Sequence, residues 1–223
     1  MLGRLWWIVH KDLTCEWRTR RAWPAMLLLG LVVAMVFSLG TDLPVDQKRQ
    51  VLGSLLWLAI FFAGMIAMDR SFAAEREEGC FDGLVLYPVS PAAIYLAKLA
   101  ANALALAALE AVIIPVFAVL AGVSLAGSPW PLVLVAVLGN LGIAALGTLV
   151  SALGAGLRHG AATLTVLALP LATPVVIAAA EATRLASEGS LDASFGRWVQ
   201  LLAAFAVIFV TAGAVLFEYV IEE

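Results

Sequence analysis

The sequence predicts an all-α, polytopic membrane protein with six transmembrane helices, and three observations carry that prediction. Hydrophobic residues make up 63% of the 223 positions and charged residues only 13%, against about 45–50% and about 25% in soluble globular domains. Long stretches contain no Asp, Glu, Lys or Arg. The 13 basic residues fall unevenly between the loops that those stretches define. A soluble fold could not cover so much apolar surface, whereas lipid is as apolar as the side chains that face it.

The elements follow in order. Residues 1–21 place Trp6, Val9, Leu13 and Trp17 at helical spacing, with Arg4, Lys11, Arg18 and Arg20 as polar surface. This is the pattern of an amphipathic helix lying in the membrane interface. Trp6, Trp7, Trp17 and Trp23 suit the headgroup level. Basic residues extend to Arg21 and no small-residue cleavage site closely follows the first apolar run, so a cleavable signal peptide is not expected. A single transmembrane domain over residues 22–223 follows, with predicted spans of about 22–41, 51–68, 95–123, 132–157, 161–181 and 198–218. At 1.5 Å per residue, about 20 residues cross a core of about 30 Å. The third span contains Glu110 and Pro115, the proline five residues after the acid and placed to kink the helix. The Ser-Pro-Trp-Pro stretch, Ser128 to Pro131, reads as the turn after it. Pro170 and Pro174 interrupt the fifth span and predict a bend there.

The basic residues set the orientation. With the N-terminus in the cytoplasm, Arg4, Lys11, Arg18, Arg20, Arg21, Arg70, Arg76, Lys98 and Arg158 lie on the inner side, and Lys48, Arg49, Arg184 and Arg197 on the outer. That bias predicts a multi-pass protein with its N-terminus in the cytoplasm.

Several function classes find no support. The net charge is −3, and no basic stripe of the kind that nucleic acid demands is present. Cys15 and Cys80 form no CxxC pair and read as unpaired cytoplasmic thiols. His10 and His159 lack ligand-spaced partners, so neither a metal site nor an axial haem ligand set is expected. No nucleophile–base pair or HExxH occurs, and no catalytic residue is assigned. An ATP-independent secondary transporter would need paired intramembrane ionisable residues and internal repeats, which the chain does not present. No G-x-x-x-x-G-K-[ST] loop occurs; GAGLRHG, Gly154 to Gly160, lacks the Lys-Ser/Thr ending.

Polar residues inside the spans are the exceptions that need partners. An ionised acid at a helix centre costs about 2.5–3.5 kcal/mol on insertion scales. Glu110 therefore faces a neighbour or a cavity, or is protonated, and reads either as a residue of the substrate path or as an interhelical contact. Asn102 and Asn140 can hydrogen-bond across helices. Glu181 and Arg184, three residues apart, can pair on one helical face or meet a partner. In the fourth span Gly139, Gly142, Gly147, Ser151 and Ala155 permit close helix approach, either within the chain or at a subunit interface.

The stretch after the second span, about residues 69–94, carries the strongest signal. Asp69 to Glu78 reads as a helical extension beyond the lipid, Gly79 as its stop, and Pro88 and Pro91 as breaks before the third span. This is a helix–break–helix projecting into the cytoplasm. The run Glu75-Arg76-Glu77-Glu78-Gly79, then Asp82-Gly83-Leu84, then Leu86-Tyr87-Pro88-Val89-Ser90-Pro91, resembles the cytoplasmic loop of the CcmB family, the membrane subunits of the ABC-type haem exporter of cytochrome c maturation. The similarity covers nearly the whole chain. The acidic portion is shared with ABC-2 type exporters in general, and a generic drug or lipid exporter permease is the alternative. The resemblance implies an ABC-2-like fold with a cytoplasmic coupling helix that docks onto a separate CcmA-like ATPase. Glu75, Arg76, Glu77, Glu78, Gly79, Asp82, Gly83, Pro88 and Pro91 would then be the ATPase-coupling residues. It further implies CcmC-like and CcmD-like membrane subunits, a CcmE-like haem chaperone released on ATP hydrolysis, a second copy of the chain, and haem as a transported or neighbouring ligand with no tightly bound cofactor.

Overall fold

The computed structural model describes residues 7, 9–11, 13, 14, 23–40, 44–68, 90–122, 129–155 and 161–222. Among the described residues six long helices follow one another: α1 Trp23–Gly40, α2 Val45–Met68, α3 Pro91–Ala121, α4 Pro129–Ala155, α5 Ala161–Glu188 and α6 Ala193–Glu222. No strand occurs among the described residues. Five helices, α2 to α6, are long and apolar enough to cross a membrane. In α1 the apolar part is shorter, Pro24–Leu39, and rises about 24 Å against a core of about 30 Å.

Helix ends differ from the predicted spans for reasons of capping. α2 starts six residues before the predicted Val51, directly after Pro44, whose carbonyl accepts the Lys48 N–H at 2.9 Å. Its polar first turns stand in the interface, where water replaces lipid. α3 begins at Pro91 rather than Tyr95, with extended Ser90 as N-cap; proline at N1 needs no donor and is preset for the helix. The predicted turn from Ser128 to Pro131 is largely helix, because α4 starts at Pro129. Pro129 and Pro131 occupy the first turn, where backbone N–H groups have no intrahelical acceptor. α5 runs unbroken through Pro170 and Pro174 and on to Glu188. Gly189 then stops it at φ +74°, with the Gly189 and Ser190 N–H groups returning to Ala186 and Leu185, a glycine-terminated cap. Asp192 restarts the chain: its Oδ1 accepts the N–H groups of Ser194 and Phe195 at 2.9 and 3.2 Å. That side-chain cap places the start of α6 five residues before the predicted Trp198.

Hydrogen bonds establish which ends lie together. The Ser38 hydroxyl at the end of α1 donates to the Leu120 carbonyl at the end of α3 at 2.7 Å, and Lys48 Nζ at the start of α2 reaches the Ser38 carbonyl at 3.4 Å. A cation there also suits the negative end of the α1 dipole. The end where α2 stops at Met68 and α3 starts is termed the loop end, and the other the far end.

α4 is the most buried span and α6 the least. α4 packs against α2, α3, α5 and α6, and its glycines allow the approach. Gly139 lies against the Trp57 ring, Gly142 against Val175 and Gly147 against Met68. The small-residue pattern thus serves packing within the chain. Near the N-terminus, Val9 is buried with Ala97 and Ala101, and Leu13 packs on the same group, so this segment rests on the first half of α3. Trp6 and Trp17 lie outside the described residues.

Candidate functional site

Among the described residues the buried polar side chains are Lys98, Glu110, Asn140, Thr148, Ser151 and Thr183. All but Thr183 belong to α3 or α4. On α3, Tyr95, Lys98, Asn102, Leu106 and Glu110 recur at i+3 or i+4 and share one face. On α4, Asn140, Ala144, Thr148 and Ser151 do the same. The two faces are joined by hydrogen bonds. Asn102 Nδ2 donates to Thr148 Oγ1 at 2.9 Å, and Thr148 Oγ1 donates to the Ala144 carbonyl at 2.6 Å. Asn140 Nδ2 donates to the Ala103 carbonyl and to Glu110 Oε2, each at 3.2 Å.

Glu110 is 5% exposed. Its Oε1 has no hydrogen-bond partner among the described residues. Glu110 and Asn140 each stand 11 residues from the far end of their helix, about 16 Å along the axis. That puts the pair near the middle of the bilayer. A carboxyl group at this depth with one neutral donor among the described residues is costly.

Tyr95, whose ring is fully buried, pins the loop end. Its hydroxyl donates to the Ala145 carbonyl at 3.0 Å and reaches the Phe209 carbonyl at 3.4 Å, linking α3 to α4 and α6. Lys98, read from the sequence as a loop-side charge, is 2% exposed within the first half of α3. Met68, the last residue of α2, lies on Gly147 of α4. Met68 at the end of α2 and Tyr95 in the second turn of α3 therefore both touch α4 within residues 145–147.

The proposed coupling residues divide. Pro91 is the first residue of α3. Glu75, Arg76, Glu77, Glu78, Gly79, Asp82, Gly83 and Pro88 lie outside the described residues. Asn102, Asn140 and Glu110 come together along one seam. Glu181 and Arg184 lie elsewhere, near the far end of α5. Arg184 there bonds Glu181 Oε2 through Nε and Nη2 at 3.0 and 2.9 Å, and also grips both oxygens of Glu188 at 3.0 and 2.9 Å. All three side chains are on one helix, and each is about a third exposed, so the cluster supports α5 locally and contributes little to stability. Glu188 was missed because the span was predicted to end at about residue 181.

Thr148 and Tyr95 were also missed. Their signal was available: Thr148 stands one turn from Ala144 on the small face of α4, and Tyr95 stands one turn above Pro91. Near the far end, the Trp57 indole N–H donates to Thr183 Oγ1 at 2.9 Å. A small cavity of about 30 Å³, lined by Leu52, Leu56, Trp57, Ile114, Leu132, Ala136 and Thr183, adjoins that bond. It is roomy enough for about one water molecule, and Ile114, Leu132 and Ala136 place part of its wall on α3 and α4, starting one turn to the far side of Glu110 and Asn140.

Asn102→Ala and Thr148→Val are each expected to cost about 0.6 kcal/mol, the average for an interhelical hydrogen bond in a membrane bundle. The combined change should cost clearly less than the sum. A double-mutant cycle measured by unfolding in mixed micelles checks this; full additivity would mean that the two side chains are not bonded.

The chain is similar over most of its length to known proteins. A family model described as CcmB protein matches residues 3–220. Heme exporter protein B of Rhodobacter capsulatus is 29% identical over 182 residues, 82% of this chain and 83% of that protein. Heme exporter protein B of Pseudomonas aeruginosa is 30% identical over 182 residues, 81% of each chain. Heme exporter protein B of Paracoccus denitrificans is 28% identical over 183 residues, 82% of this chain and 84% of that protein.

Proposed function

The chain belongs to the CcmB family, and from that premise we propose that it is the permease subunit of a multi-subunit ABC-type haem exporter of cytochrome c maturation. The observation that carries the proposal is the family match through residues 3–220, which includes the whole acidic segment between α2 and α3. The chain lacks a phosphate loop, so ATP hydrolysis falls to a CcmA-like ATPase. CcmC-like and CcmD-like subunits, a CcmE-like haem chaperone and a second copy of this chain complete the assembly. Haem is the transported or neighbouring ligand rather than a resident cofactor. The protein sits in the bacterial inner membrane with its N-terminus in the cytoplasm, which makes the loop end cytoplasmic.

In this mechanism nucleotide binding draws the two ATPase subunits together, and the segment around Glu75 to Pro91 follows. Two features support transmission from there. Met68 at the end of α2 and Tyr95 in the second turn of α3 both contact α4 within residues 145–147, and α4 touches four of the other helices. A displacement of either helix end is thereby passed to α4. ATP binding energy shifts a two-state membrane element only to the extent that the two states bind the ATPase differently.

Reversing both Glu75→Lys and Glu77→Lys is expected to weaken co-purification of the ATPase subunit at least about tenfold, since truncating or inverting one partner of a close charge pair costs about 2–5 kcal/mol. Haem-stained c-type cytochrome in the same cells should fall in parallel. Undiminished association together with undiminished cytochrome would remove the coupling role. Labelling of Gly79→Cys from the periplasmic side would overturn the orientation.

A further inference from the structure

We propose that the α3–α4 seam is a water-entry cleft that parts from the loop end during ATP turnover and stops at Glu110. The inference rests on the permease reading and adds the place where the bundle opens. Three observations carry it. Five of the six buried polar side chains among the described residues are on α3 or α4, and three bonds cross between the two helices: Asn102 amide to Thr148 hydroxyl, Asn140 amide to the Ala103 carbonyl and Asn140 amide to the Glu110 carboxyl group. Water can replace each of these at little cost when the helices separate. Elsewhere α4 meets its neighbours through Gly139 on Trp57, Gly142 on Val175 and Gly147 on Met68, and parting those contacts exposes apolar surface at about 25 cal/mol per Å².

The second observation is Glu110 Oε1, a buried oxygen without a partner among the described residues. A hydrogen-bond donor entering along the seam finds its acceptor there, so the ligand class of the site is water or another small donor. The third is the direction of closure. On the far side of Glu110, α3 presents Ile114 and α4 presents Leu132 and Ala136, which line the small far-end cavity together. These offer water nothing to bond, so the cleft reaches the middle of the membrane from one side only. α3 is also one of the two helices joined directly to the coupling segment, so a pull on that segment acts on this seam.

The test uses the assembled complex in oriented membrane vesicles, with Cys15→Ser and Cys80→Ser removing the native thiols. Asn102→Cys and Leu106→Cys lie on the seam face, whereas Leu104→Cys and Val112→Cys lie on exposed faces of α3. A charged, membrane-impermeant methanethiosulfonate is applied from the cytoplasmic side, with and without ATP. The seam positions are expected to react at least tenfold faster during turnover, and the exposed-face positions to stay slow throughout. Joining Asn102→Cys to Thr148→Cys with a short bifunctional thiol reagent is expected to cut c-type cytochrome formation at least tenfold, with recovery on reduction. Seam positions no faster than Leu104→Cys and Val112→Cys in a complex that retains its ATPase, or full activity with the seam locked, would overturn the cleft and leave the permease assignment standing. Absence of any co-purifying ATPase would overturn the permease assignment and the cleft with it.

Discussion

Gly139→Leu is expected to abolish accumulation of folded chain in the membrane, and Gly139→Ala to lower its melting temperature by several degrees. A Cβ at residue 139 would collide with the six-membered ring of Trp57. That ring is 1% exposed, and its N–H is tied to Thr183 at 2.9 Å. The indole therefore cannot swing aside without losing a buried hydrogen bond. Overpacking a tight core costs about 1–3 kcal/mol for small additions and more when backbone must move. Replacing glycine inside a helix recovers about 1 kcal/mol of propensity, which offsets only part of the loss from Ala and little of the loss from Leu. Fluorescence-detected size exclusion after a thermal ramp reads the result. Trp57→Leu combined with Gly139→Ala should restore most of the melting temperature. A Gly139→Ala chain as stable as the parent would show that Trp57 is not packed on α4.

The second large effect falls on the mid-membrane pair, and its sign pattern is unusual. Asn140→Leu removes the donor to Glu110 Oε2 and to the Ala103 carbonyl together. The carboxyl group is then buried with no partner among the described residues, a penalty of about 1–3 kcal/mol for a polar group left unsatisfied. Combining Asn140→Leu with Glu110→Leu removes donor and acceptor at once, so the double variant should be more stable than Asn140→Leu alone. Unfolding in mixed micelles measures the three chains. A double variant less stable than either single one would contradict the pairing. If the seam opens as proposed, the stable double variant should still fail to support c-type cytochrome formation, because an apolar wall replaces the polar end of the cleft.

Comparison of particular residues shows where sequence reading reaches its end. The apolar runs and the two prolines Pro88 and Pro91 locate α3, yet they place its start at Tyr95, because hydropathy reports the lipid-facing length and not the cap at Ser90. Asp192 illustrates the same point: its side chain starts α6, and a charge outside the apolar run carries no weight in a span prediction. The prolines at 170 and 174 lie inside the continuous helix α5, since neighbouring helices can stabilise a helix that lacks two backbone donors. Lys98 counts as a loop-side charge by sign alone, and its burial depends on which elements close over α3.

The sequence by itself determined that this is an α-helical membrane protein, that the apolar runs and their separators locate its helices, and that Glu110, Asn102 and Asn140 require partners. These are consequences of composition and of the cost of polar groups in lipid, and both act on each segment separately. Only the tertiary structure decided who the partners are. The meeting of Asn140 with Glu110, of Asn102 with Thr148 and of Trp57 with Gly139 depends on the relative rotation and depth of two helices. A single helix carries its own periodicity but contains no record of the face its neighbour presents, and that pairing arises only when the helices pack.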